Sequence, residues 1–150
     1  MKIFIGADHR GFDFKTKIIK ILKELGLKPK DLGTYTKETS SDYPLIAYQV
    51  ASRVAKTKNS RGILVCMSGI GQSIAANKVR GVYAALCYNP QATALSRRHN
   101  NANILILSAK FIPPNQLRSI IKVWFEEKFE GGRHLRRVRE IKKIEEKEFK

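Results

Sequence analysis

Short apolar runs of β type alternate with amphipathic helical segments from one end of the chain to the other. Lys2–Ala7 reads as a strand. Phe14, Ile18, Ile19, Leu22 and Leu25 then recur three or four positions apart up to Gly26, which marks a helix with one apolar face. A weaker strand over 28–32 leads into a Thr- and Ser-rich loop over 33–42. Helices are expected at 43–56, 71–78, 90–98, 114–128 and 133–148, and strands at 62–67, 82–87 and 103–108. Strands separated by single helices pair in parallel through right-handed crossovers. The expected fold is a doubly wound, Rossmann-like α/β/α sandwich around a five-stranded parallel sheet, one domain over residues 1–150. The last helix stands apart. It is largely charged, and its apolar stripe of Val138, Ile141 and Ile144 is too thin to form a core. Such a stripe either rests on a partner subunit or stays solvated.

Composition narrows the function classes. The 150 residues carry 29 Lys and Arg against 13 Asp and Glu, a net charge of +16. So basic a balance raises nucleic-acid binding as a question. The basic residues are spread along the whole chain, however, and aromatics do not interleave with them as base-stacking would require. A solvated basic surface that steers anions is the expectation, with no nucleic-acid partner. Apolar runs such as Ile3–Ile5 and Ile104–Leu107 fall far short of the roughly 20 residues of a spanning helix. The start of the chain turns polar at Asp8, His9 and Arg10, unlike a secretory signal. A cytoplasmic protein without a membrane partner is expected. Cys66 and Cys87 each end an apolar run and make no disulfide framework. No Cys-x-x-Cys or His-Glu-x-x-His pattern supports a zinc site.

In open parallel sheets, ligands bind at the carboxyl ends of the strands. The first strand delivers Gly6 to Gly11, the third Cys66 to Ser73, and the fifth Ser108, Ala109 and Lys110. The loop Met67-Ser68-Gly69-Ile70-Gly71 precedes a helix, so its backbone N–H groups form an anion cradle. It is not a dinucleotide fingerprint: the third glycine position is Ile74, and no acidic residue follows at the required distance. Nor is it a phosphatase loop, because Gln72 stands where the arginine belongs. Cys66 at the cradle's edge is either a packed thiol or one with a lowered pKa, able to act as base or nucleophile. Ser68 offers a hydroxyl for proton relay or an N-cap. His9, His99 and His134 lie in loops or at helix starts. Arg133 and Arg137 are four apart on one helix face, a spacing that suits either a shared phosphate or a solvated basic face.

Taken together, these segments resemble the type-B ribose-5-phosphate isomerase family, which includes the galactose-6-phosphate isomerase subunits. The resemblance is carried in order by Gly6 to Phe12, Asp42-Tyr43-Pro44, Cys66 to Gly71, Ser73 to Lys78, Leu95 to Asn103 and Glu130 to His134. It implies cofactor-free, metal-free aldose–ketose isomerisation through an enediolate, a step of the pentose phosphate pathway. Cys66 would be the base that moves a proton between C2 and C1. Ser68 would assist at the sugar oxygens, and His99 would open the furanose ring. Backbone N–H groups from Ser68 through Gly69 and Ile70 to Gly71 would stabilise the enediolate oxygen. Asp8 and Asn100 would contact sugar hydroxyls. His9, Arg133 and Arg137, with His134 in a lesser part, would grip the phosphate. The family's site lies between subunits, so a homodimer or tetramer is implied, with His99 and Asn100 serving the partner's pocket.

Three positions depart from the family pattern. Lys110 replaces a frequent phosphate-binding arginine and loses its bidentate fork. Met67 stands where glycine is common, on the sugar side of the cradle. Gln72 occupies the position of a glutamate base used by one family branch, which leaves Cys66 to act as base. Ribose 5-phosphate to ribulose 5-phosphate is thus the leading expectation. A hexose 6-phosphate, such as allose or galactose 6-phosphate, is the alternative substrate, and a basic nucleic-acid-binding protein on the same scaffold is the remote one.

Overall fold

The computed structural model describes residues 1–149. Five strands, β1 (Lys2–Ala7), β2 (Pro29–Asp31), β3 (Ser60–Cys66), β4 (Ala84–Leu86) and β5 (Ile104–Ser108), form one sheet in the order β2-β1-β3-β5-β4. Every neighbouring pair is parallel, as the alternating pattern requires. Six helices accompany them: α1 (Phe12–Glu24), α2 (Tyr43–Lys56), α3 (Ile70–Ala76), α4 (Pro90–Arg98), α5 (Leu117–Glu126) and α6 (Arg133–Glu148).

The sheet is apolar on both faces because helices cover both. Ile5, Ile63, Val65, Leu105 and Leu107 pack against α1 and α5 through Phe14, Ile18, Leu22, Ile120, Ile121 and Trp124. Phe4, Leu64, Ile104 and Ile106 pack against Ala47, Val50, Ala51 and Val54 of α2 and Ala76 of α3. The expected edges shift by a few residues. Val82, Tyr83 and Cys87 fall outside β4, and Pro114–Gln116 forms a separate 3-10 turn before α5. Proline at the first position of that turn sets the start of the shorter helix.

The connection after β1 leads to β2, while the connection after β3 runs the other way, toward β4 and β5. The crevice between the carboxyl ends of β1 and β3 is therefore the switch point, where such sheets take their ligands.

One buried charge fastens this end of the sheet. Lys15 on α1 is fully buried, and its ammonium donates to both oxygens of Asp31 at 2.7 and 2.9 Å and to the Thr34 carbonyl at 2.6 Å. Replacing one partner of a buried pair strands the other. Lys15→Met should lower the urea-unfolding free energy by about 2 kcal/mol, less than for a wholly buried pair because Asp31 is partly exposed. An unchanged unfolding midpoint would show that the pair contributes nothing net.

The thin apolar stripe of α6 is left largely uncovered: Ile141 is 43% exposed and Ile144 63%. The helix returns to the body near its end, where Glu145 Oε1 accepts the Gly81 amide at 2.6 Å. Among the described residues, no helix is long and apolar enough to cross a membrane.

Candidate active site

A cleft of about 640 Å³ opens at the switch point. Its walls come from three loops: Asp8, His9 and Arg10 after β1; Ser40, Ser41 and Asp42 leading into Tyr43 of α2; and Cys66, Met67, Ser68 and Gly71 after β3. Asp8 is buried and turns its own loop, accepting the Gly11 amide at 2.9 Å on Oδ1. His9 is held by a reciprocal pair: its amide donates to Ser41 Oγ at 3.0 Å, and its Nδ1 accepts the Ser41 amide at 3.2 Å. An accepting Nδ1 leaves the ring proton on Nε2, as a donor.

Cys66 ends β3 on the cleft wall, and its sulfur accepts the Gly69 amide at 3.1 Å. The expected lowering of its pKa is overturned. Burial pushes the thiol above its ordinary value and the nearby Asp8 carboxylate adds to the rise, while the amides of Gly69, Gln72 and Ser68 oppose it. Burial wins. The cradle is also partly spoken for. Gly69 donates to the sulfur and Ile70 donates to Ser68 Oγ at 3.3 Å, so these two N–H groups are spent inside the loop. The cradle solvates the cysteine before any substrate oxygen.

The glycines here are fixed by sterics. Gly69 has φ +85, and a Cβ there would lie 2.5 Å from Leu86. A Cβ on Gly71 would lie 2.5 Å from the Tyr43 ring. Gly71 is therefore needed for close packing of the tyrosine. Gln72 is completely buried, with neither side-chain polar atom hydrogen-bonded.

The remaining expected residues do not line this cleft, although the Lys110 amide donates to the Met67 carbonyl at 3.1 Å. His99, Asn100, Lys110, Arg133, His134 and Arg137 are absent from this cleft's walls. Lys110 lies over the Phe111 ring, at 5.7 Å. His99 at the end of α4 and His134 at the start of α6 stack face to face, with centroids 4.0 Å apart and planes 9° apart. Glu130 Oε2 lies 3.9 Å from His99 Nε2 and 3.6 Å from His134 Nε2. Burial, followed by the charges of His99 and Arg133, lowers the His134 pKa, against the pull of Glu130.

These three residues bring their polar atoms within 4.8 Å of one another, the spacing of a metal-ligand set. Parallel stacked rings do not suit one, because an ion in the plane of one imidazole would lie well out of the plane of the other.

Sequence reasoning did not single out Arg10, Ser40, Ser41 or Glu130. Arg10 and Glu130 sat inside quoted motifs, and Arg10 NH1 now donates to Met67 Sδ at 2.9 Å across the cleft. The serines carried no signal, because a loop's path over the strand ends is set by tertiary packing.

A family model for ribose/galactose isomerase matches residues 3–141. The chain is 41% identical over 146 residues to ribose-5-phosphate isomerase B of Escherichia coli, covering 97% of each protein. It superposes on the ribose-5-phosphate isomerase B structure from Clostridium thermocellum with a TM-score of 0.94 and 44% identity, over 98% of this chain and 99% of that one. The Mycoplasma genitalium ribose-5-phosphate isomerase B, solved with bound ribulose-5-phosphate, gives a TM-score of 0.92 at 41% identity, over 98% and 97% of the two chains.

Proposed function

From its membership of the ribose/galactose isomerase family, to which this chain belongs, we propose that it interconverts ribose 5-phosphate and ribulose 5-phosphate as an aldose–ketose isomerase. One domain carries the reaction, on phosphorylated sugars of the cytoplasm. The observation that carries the reading is the thiol of Cys66, on the wall of the switch-point cleft, with the Gly69 amide donating to its sulfur.

The reaction moves a proton between C2 and C1 of an open-chain sugar. Cys66, as thiolate, takes the C2 proton to leave an enediolate and returns it to C1, while the hydroxyl proton passes from O2 to O1. The buried sulfur is a strong base once ionised, and the amides of Gly69, Gln72 and Ser68 stabilise that ionised form. Ser68 and the amide of Gly71 face the sugar oxygens. Asp8 orders the first loop and meets a hydroxyl, while His9 directs its Nε2 proton to the phosphate.

The cleft of one subunit lacks a ring-opening acid–base group and most of a phosphate grip. We assign both to a second copy. His99 and Asn100, with Arg133, His134 and Arg137, serve the partner's cleft in a homodimer or a tetramer built from such dimers. Supporting this is the absence of that whole group from the cleft walls of its own subunit, together with the uncovered apolar stripe on α6. His99 moves the proton from the C1 hydroxyl to the ring oxygen, and Glu130 balances its charge.

Initial rates on ribose 5-phosphate and on allose 6-phosphate, taken side by side, test the substrate. A kcat/KM for the pentose phosphate at least about tenfold above the hexose phosphate is expected, the discrimination available from one extra carbon unit in a fitted site. A hexose preference would overturn the assignment.

A further inference from the structure

We propose that the amino-terminal end of the sheet holds a second anion site, built by Arg61 and Arg97 to take a phosphoryl group. Arg61 lies at the start of β3 and Arg97 on α4, and both guanidiniums lie against the buried Trp124 ring, at 5.5 and 5.4 Å from its centroid. Arg97 is only 7% exposed. Neither arginine has a carboxylate within 4.0 Å among the described residues, although the chain's acids pair with other cations.

A buried guanidinium beside a half-buried one, without a counter-ion, is costly to a fold. The compensation present is partial. Arg61 donates one N–H to the Trp124 carbonyl, in the last turn of α5. Arg97 donates NH1 to Asn101 Oδ1 at 3.1 Å and to the Ala102 carbonyl, and its Nε has no partner. A guanidinium has five N–H donors, so most of Arg61's remain unspent. Burial, and after it the charge of Arg97, lowers the Arg61 pKa to about 10.

Both arginines line a cavity of about 360 Å³ with the amides of Asn59, Asn101 and Asn103, and no acidic side chain is on its wall. Asn59 and Asn101 are also the non-glycine residues with left-handed backbone, at φ 54 and φ 50. An oxyanion would neutralise the pair, and two planar forks suit its several oxygens better than two ammonium groups would. The cavity is at the opposite pole of the sheet from the switch-point cleft and shares no wall residue with it.

The test uses the full chain carrying Arg133→Ala and Arg137→Ala, so that the catalytic phosphate grip loses its two arginines and Arg61→Gln reports on the second site. Inorganic phosphate and adenosine 5′-monophosphate are titrated in parallel by calorimetry. Saturable binding of at least one, weakened about tenfold or more by adding Arg61→Gln, is expected, and the tighter of the two identifies free phosphate or phosphoester as the source. No saturable binding of either, or affinity indifferent to Arg61→Gln, would overturn the proposal. Should Arg61→Gln fail to fold, the side-chain Nε–Hε resonances of Arg61 and Arg97 can be followed without it. They should move saturably with the bound anion, and stationary resonances would overturn the proposal equally.

Discussion

Replacing Cys66 by alanine should lower kcat on ribose 5-phosphate about a thousandfold, the scale of a positioned general base, while leaving the fold and KM nearly unchanged. The side chain is small, and its sulfur accepts only the Gly69 amide at 3.1 Å, so truncation leaves one N–H to be met by water from the open cleft. Gln72, buried and amide-bearing, has no carboxylate with which to take over. The pH dependence carries the same signature. Burial raises the Cys66 pKa, so the thiolate is the minor form at neutral pH and its fraction grows as pH rises. Wild-type kcat/KM should therefore climb through the neutral range into the alkaline, and the residual activity of Cys66→Ala should lose that climb. A flat wild-type profile would mean that bound substrate or the second subunit lowers the thiol pKa, or that another group is the base.

The second large effect comes from mixing two inactive proteins. If each site takes Cys66 from one subunit and His99 from the other, Cys66→Ala and His99→Asn homo-oligomers are both defective at every site. A mixed dimer has one site carrying both lesions and one carrying neither. Equal amounts, partly unfolded and refolded together, should recover about a quarter of the wild-type rate, since half of the dimers are mixed and each has one intact site of two. Recovery at that level is far above either parent and cannot arise if Cys66 and His99 act within one subunit. Activity that stays at the parental level in a verified mixed dimer would place both residues in the same chain's site.

The strands and most helices were legible because the sheet is buried on both faces. A parallel strand such as Ile104–Ser108 reads as a continuous apolar run, and helices such as α1 show their single apolar face at three- and four-residue spacing. The edges of β4 were not legible, because Val82 and Cys87 are buried and apolar like the strand itself but lie outside its paired residues, Ala84 to Leu86. Cys66 was legible by its place at a strand end, but the direction of its pKa was not. That direction depends on how burial weighs against the N–H groups, which only the packed structure sets. The stack of His99 on His134 joins residues far apart in sequence, as does the convergence of Arg61 and Arg97 on Trp124. Neither leaves a local pattern to read. Much of the +16 charge was legible only as a total, and part of it takes two proposed places: the arginines of α6, and the pair at the amino-terminal end of the sheet.

The central claim is that the Cys66 sulfur carries the proton between C2 and C1. It is tested most directly by running the reaction on ribose 5-phosphate in D2O and reading the C1 protons of the ribulose 5-phosphate by NMR, with wild type and Cys66→Ala at matched substrate saturation. A thiol that carries the proton exchanges it with solvent, so wild type should place deuterium at C1, and the alanine variant should form labelled product about a thousandfold more slowly. Deuterium-labelled product forming at comparable rates with both proteins would contradict the account.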